Sequence, residues 1–161
     1  MYTEIKELVN FLAVYMYFRI PRWQINLFME RFANHLAARF HRNWRINNPG
    51  HAANERFIAI KTRDGLDEMF YVVAASVSID LNELYACFPP SIFVYCNPGE
   101  VICRILEYSL AIIIWQGDVN ADNSYIATPT GAAKYYNENT FNLENTALSA
   151  YRTKTSSDKL I

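Results

Sequence analysis

The chain has 161 residues, just over half of them apolar or aromatic, and a formal net charge of −1. This composition excludes general disorder and suits one folded domain with an extension, while a near-neutral balance gives no bulk-charge argument for a polyanion partner. The three cysteines, Cys87, Cys96 and Cys103, form neither a CxxC pair nor a Cys/His ligand cluster. Cys96 and Cys103 fall on inward strand phases, where a free thiol behaves as a small apolar group. No opening stretch has the layout of a secretory signal, and the apolar run from Leu8 to Phe18 is too short to span a bilayer, so a reduced intracellular chain is expected.

Thr3 to Phe18 predicts the first helix, with Thr3 as cap and Glu4 and Glu7 at its positive end. Ile5, Leu8, Leu12, Tyr15 and Met16 form one apolar stripe, and Phe11, Val14 and Phe18 form a second on another side. Such a helix is buried on two sides or meets another chain. A second amphipathic helix starts near Pro21, with Ile25, Phe28, Met29, Phe32, Leu36 and Phe40 on its apolar face, and ends before Asn47-Asn48-Pro49-Gly50. The short link predicts that the two helices pack antiparallel.

Arg56 to Lys61 reads as a strand, Leu66 to Val77 as a helix, and Asp80 as the start of a short helix with Glu83 completing a capping box. Pro89-Pro90 stops that helix. In the next segment Ile92, Val94 and Cys96 alternate with Phe93, Tyr95 and Asn97, Asn97-Pro98-Gly99 turns the chain, and Val101, Cys103 and Ile105 resume the alternation. Leu110 to Trp115 closes the sheet through Tyr108-Ser109, and Gly117-Asp118 ends the domain. Residues 119–161, rich in Asn, Thr, Ser and Ala, read as a flexible polar tail with a weak helix over Asn139 to Ala150. The fold class is therefore α/β of the α+β type: two long antiparallel N-terminal helices on a small, mainly antiparallel sheet with further short helices.

No residues argue for an enzyme. His35, His41 and His51 lack partners at ligand or general-base spacing, and the five glycines form no phosphate-binding loop, so neither metal nor cofactor is expected. Arginines crowd the second helix and the strand after it. Direct RNA binding through them is one reading; a solvated helix face is the commoner one. Thr128-Pro129 is a minimal proline-directed phosphorylation site.

The chain from Met1 to about Trp115 resembles the Tob/BTG antiproliferative family. Its first box is matched by Ile25-Asn26-Leu27-Phe28 through Phe40 to Asn43-Trp44, with Arg56-Phe57-Ile58-Ala59-Ile60 after it. Its second box is matched by Phe88-Pro89-Pro90 through Val101, continuing to Ile105 and Glu107. Glu4-Ile5, Asn10-Phe11, Tyr15, Tyr17 and Pro21-Arg22 are similar to the Tob branch. The resemblance implies a non-enzymatic adaptor in post-transcriptional messenger RNA repression. Such an adaptor brings the catalytic deadenylase subunit of the CCR–NOT complex to messages chosen by RNA-binding proteins, in the cytoplasm and also in the nucleus.

By the same resemblance the deadenylase-type surface is bordered by Trp44, Glu55, Tyr95, Asn97 and Glu100. Family members place an aromatic, a Trp and an Asp where this chain has Glu55, Tyr95 and Asn97, and a Gly where it has Leu106. Altering an aromatic anchor at an interface centre costs about 2 kcal/mol, roughly thirtyfold in affinity, so weakened deadenylase binding is implied. The departures are similar to those of a divergent nematode member that promotes sperm fate in the germline, which implies a role in germ-cell fate. The alternative is a self-associating scaffold on RNA–protein complexes, a dimer or polymer held through Phe11, Val14 and Phe18.

Overall fold

The computed structural model describes residues 1–63, 65–106 and 110–124. Two long helices open the chain, α1 (Tyr2–Val14) and α2 (Arg22–Phe40), followed by a 3₁₀ turn at Ala53–Arg56 and the strands β1 (Ile58–Lys61) and β2 (Gly65–Leu66). Next come α3 (Glu68–Ser76), α4 (Leu81–Cys87), β3 (Ser91–Asn97), β4 (Glu100–Ile105), β5 (Ile112–Gln116) and the single turn α5 (Ala121–Ser124). The strands make one antiparallel sheet in the order β2-β1-β3-β4-β5. The architecture is the expected one, a mixed fold with the antiparallel α1–α2 pair set on an antiparallel sheet.

Register assigns the two faces of that sheet. Ile58 pairs with Val94 and Ile60 with Ile92, while across the hairpin Val94 pairs with Cys103 and Cys96 with Val101. All of these are buried in one core with Ile5, Leu8 and Leu12 of α1 and Phe28, Phe32 and Leu36 of α2. Aromatic contacts tighten it: Phe32 and Phe70 lie 4.7 Å apart, and Phe70 meets Phe88 edge-on. Burial pushes the Cys96 thiol well above its ordinary pKa, as an apolar site must for a group that would otherwise ionise. The alternate residues Ala59, Phe93, Tyr95, Ile102 and Arg104 look away from the helices and stay partly or fully exposed. Among the described residues one face of the sheet is thus covered and the other open.

Several boundaries differ from the sequence reading. Helix α1 ends at Val14 rather than Phe18. Residues 15–19 tighten into turns in which Tyr15 N–H bonds Leu12 and Met16 N–H bonds Ala13, letting both Met16 and Ile20 enter the core. Thr3 lies inside α1 and does not cap it. Pro21 occupies the cap position of α2, one residue before the helix proper. Arg56 belongs to the 3₁₀ turn rather than to β1. Leu66 lies in a two-residue strand, entered through Gly65 at φ 116°, and α3 starts only after Asp67, whose carboxylate accepts the Met69 N–H. The cap at Asp80 stands, accepting from the N–H groups of Asn82 and Glu83. The loop residues Tyr108 and Ser109, the helix expected at Asn139 to Ala150 and the site at Thr128 all lie outside the described residues.

Residues 119–124, read as the start of a tail, carry α5 and a long-range contact. Asp122 accepts from the Tyr2 and Thr3 N–H groups at 3.1 and 2.9 Å, from the Thr3 hydroxyl at 2.7 Å, and from the Met1 amine at 3.0 Å. It therefore caps α1 from the far end of the domain, supplying acceptors that the first turn of a helix lacks. Glu4 adds a second tie, its carboxylate accepting the Gly99 N–H at 3.1 Å. Gly99 in turn sits at φ 82°, with the Gly117 carbonyl 3.0 Å from where a Cβ would be, so the β3–β4 turn tolerates only glycine there.

Burial alone would raise the Asp122 pKa, but the Met1 ammonium charge and the Thr3 donors outweigh it and hold the carboxyl below its ordinary value. A depressed folded-state pKa gives stability that is complete above the ordinary aspartate range and is lost as pH falls through the folded value. Asp122→Ala is therefore expected to lower unfolding free energy by about 1 kcal/mol at neutral pH, with the gap to wild type closing in acid, as measured by urea denaturation across pH.

Candidate functional site: an open sheet face over a buried arginine

The residues from His41 to Phe57 carry little regular structure, and the Arg56 side chain gathers their backbone carbonyls around it. Its side chain is fully buried. Nε donates to the Cys96 carbonyl at 2.9 Å; Nη1 donates to the Asn43 carbonyl, the Asn43 Oδ1 and the His51 carbonyl at 3.0, 2.9 and 2.8 Å. Nη2 donates to the Pro49 carbonyl at 3.0 Å and to Asn97 Oδ1 at 2.8 Å. The five guanidinium N–H groups thus meet six oxygen contacts, and the ring of Trp44 lies 5.5 Å from the guanidinium carbon. Burial pulls the Arg56 pKa below its ordinary value, opposed by nearby negative charge, including that of Glu55.

Four of the residues bordering the surface are fixed by this network or beside it. Trp44 stacks on Phe40 at 6.1 Å with its Nε1 buried and without a hydrogen-bond partner among the described residues, so it supports the loop from beneath. The Glu55 carboxylate is exposed and accepts from Asn43 Nδ2 at 2.9 Å, while its carbonyl accepts from Arg39 Nε. Asn97 ends β3 with its side chain turned to Arg56. Glu100 begins β4 opposite Asn97 and helps line a cleft of about 400 Å³ between Pro49-Gly50, the Pro98-Gly99 turn, and Gln116, Gly117 and Val119. Asn97 lines the same cleft.

Tyr95 stands on the open face. It is 39 % exposed, and its ring lies 5.1 Å from that of Phe57, which in turn stacks nearly parallel to Phe93. Lys61 reaches over the Phe93 ring at 5.4 Å. Pairing extends the row: Tyr95 opposes Ile102, and Ile102 opposes Ile113 of β5. Phe57, Phe93, Ile102 and Ile113 were not singled out from sequence. The signal available was phase, since Phe57 and Phe93 fall out of step with the inward residues Ile58 and Ile92.

The residues assigned to self-association separate. Phe11 packs against the core and meets Tyr15 edge-on, whereas Val14 and Phe18 are exposed, Phe18 at 96 %. The arginines also divide. Arg31 bonds the Ser76 carbonyl, and Arg39 pairs with Asp67 at 3.0 Å while bonding the Phe57 and Glu55 carbonyls. These cations, like Arg56, brace helices against loops. Among the described residues no group of three or more His, Cys, Asp or Glu could hold a metal ion, and no helix is long and apolar enough to cross a membrane.

A family model described as the BTG family matches residues 1–115. Protein Tob1 of Homo sapiens is 24 % identical over 120 residues, covering 74 % of this chain and 34 % of Tob1. Protein Tob2 of Homo sapiens is 25 % identical over 118 residues, covering 73 % of this chain and 34 % of Tob2. The matched region is thus about a third of the length of these relatives. Among solved structures, the BTG/Tob domain of C. elegans FOG-3 superposes with a TM-score of 0.70 at 33 % identity, covering 78 % of this chain and 98 % of that one. A helix pair on an open five-stranded sheet, matched by the family model across nearly all of that fold, places this chain in the BTG family.

Proposed function

We propose that this chain is a non-enzymatic adaptor in messenger RNA repression, presenting the open sheet face to a deadenylase of the CCR–NOT type and linking it to messages through RNA-binding proteins. Membership of the BTG family supports this reading, and likeness to the FOG-3 domain supports a germ-cell fate role. Its setting would be the cytoplasm and also the nucleus. The observation that carries the proposal is Tyr95. It is an exposed aromatic backed by Phe57 on a face that no helix among the described residues covers, next to a loop held by Arg56. A large ring held by a second ring loses little freedom on docking, which is what an interface anchor requires.

The test is retention of the catalytic deadenylase subunit by the purified chain. Wild type is expected to retain it, and Tyr95→Ala to weaken the affinity about thirtyfold. Asn97→Asp, which restores the family's carboxylate and sets it beside Arg56 Nη2, is expected to strengthen it. No retention by wild type under any condition overturns the recruitment reading.

A second reading, a self-associating scaffold with weak or no deadenylase binding, is favoured by the exposure of Val14 and Phe18 beside Tyr17, whose ring is covered by the Arg22 guanidinium at 4.4 Å. In light scattering, this reading expects a wild-type mass above monomer that Phe18→Asp returns to monomer. A monomeric wild type removes it.

A further inference from the structure

The open face of the sheet is not uniform along its strands. Phe57, Phe93 and Tyr95 make a continuous aromatic patch, the Phe93 and Tyr95 ring centroids lying 5.8 and 5.1 Å from that of Phe57. Two cations flank the patch from the strands on either side of β3. Lys61 of β1 holds its ammonium nitrogen 5.4 Å from the Phe93 centroid, and Arg104 of β4 is the register partner of Phe93. Arg104 is exposed and makes no ion pair or hydrogen bond among the described residues. Glu100, an acid on the same face of β4, lies four residues away, about 13 Å along an extended strand. That exceeds the screening length of about 8 Å at physiological salt, so it leaves the Arg104 charge uncompensated. Of the α2 arginines, Arg31 and Arg39 are engaged with Ser76 and Asp67. Cations interleaved with aromatic rings, the combination that contact with nucleic acid requires, are found on the sheet instead.

We infer that the end of the open face carrying Lys61, Phe93 and Arg104 is a platform for a single-stranded nucleic acid, with bases on the rings and phosphates on the two cations. Three features select that ligand. Cations on opposite sides of a ring suit a ligand whose negative charges repeat along a chain. Aromatic rings accept any base, because every base has a π face. Strands spaced about 4.8 Å make a five-stranded face broader than a major groove about 12 Å wide, so the bases it meets are unpaired ones. Contact through two phosphates and one or two stacked bases is weak and tolerant of sequence. The chain itself then touches the strand, in addition to any link through RNA-binding proteins. The inference does not rest on the recruitment reading, since Phe93 and Arg104 lie toward the opposite end of the face from the cleft at Glu100.

Fluorescence anisotropy of a labelled oligoadenosine RNA of about twelve nucleotides, titrated with the full chain and no deadenylase, tests it. Binding is expected to weaken between about 50 and 200 mM salt with a log–log slope near −1.4, about −0.7 for each of two phosphates. Arg104→Ala is expected to halve that slope, and Phe93→Leu to weaken binding about tenfold through the loss of one stacked base. The same strand paired with oligouridine is expected to bind more weakly than the single strand. No anisotropy change at low salt overturns the proposal. Binding that neither substitution alters overturns it too, since the contact then lies on other arginines. A duplex held as tightly as the single strand leaves charge alone at work and is equally fatal. Displacement by polyglutamate as effective as by unlabelled strand replaces the nucleic acid with an acidic polypeptide. Arg104 is exposed, so its variant keeps the packing and decides the matter even where Phe93→Leu melts early.

Discussion

The fold around the candidate surface depends on a single buried cation. Arg56 has no carboxylate bonded to it among the described residues; its charge is solvated by oxygens from three separate places, Asn43 just after α2, the loop at Pro49 and His51, and the end of β3 at Cys96 and Asn97. A buried charge is costly when any of its donors is unmet. Here every donor is engaged, so the same cost becomes a constraint: these segments hold their positions together or the guanidinium is stranded. Asn43 passes the constraint outward, since its other amide atom donates to Glu55. Trp44 closes the site from below.

Two consequences follow for what the molecule presents. The loop from His41 to Phe57 and the β3–β4 turn are fixed relative to each other, and Phe57, which follows Arg56 directly, is delivered to the open face where it backs Tyr95. The helices do the complementary work. Among the described residues they cover only the inner face, and they tie α1 to Asp122 and, through Glu4, to Gly99. The resulting surface has aromatic anchors at Phe57, just before β1, and on β3, and exposed aliphatic residues on β5, with the cleft near Glu100 at one end.

Much of this was legible in sequence because it is local. The α2 stripe, the alternation in β3 and β4, and the Asp80 cap follow from periodicities of 3.6 and 2 and from one capping residue. What was not legible has physical reasons. Arg56 is in step with Ile58 and Ile60, which marks it as inward, but its burial depends on carbonyls that only the tertiary fold assembles. Asp122 caps a helix about 120 residues earlier in the chain, for which no local signal exists. β2 is two residues long and exists only because β1 lies beside it. Leu106 takes a left-handed backbone conformation, φ 69°, that its side chain disfavours and no local pattern announces. Exposure could not be read from apolarity alone either: Phe11 and Phe18 share a stripe, yet the helix ends between them.

Replacement of Arg56 by lysine, followed by urea denaturation together with amide exchange, tests the central claim most directly. Lysine keeps the charge but cannot replace six oxygen contacts in three places with three donors from one atom. The account predicts a loss of at least about 3 kcal/mol in unfolding free energy, with amides in residues 43–57 and 95–97 losing protection together. A variant of near wild-type stability, or one in which residues 43–57 loosen while 95–97 stay protected, would contradict it.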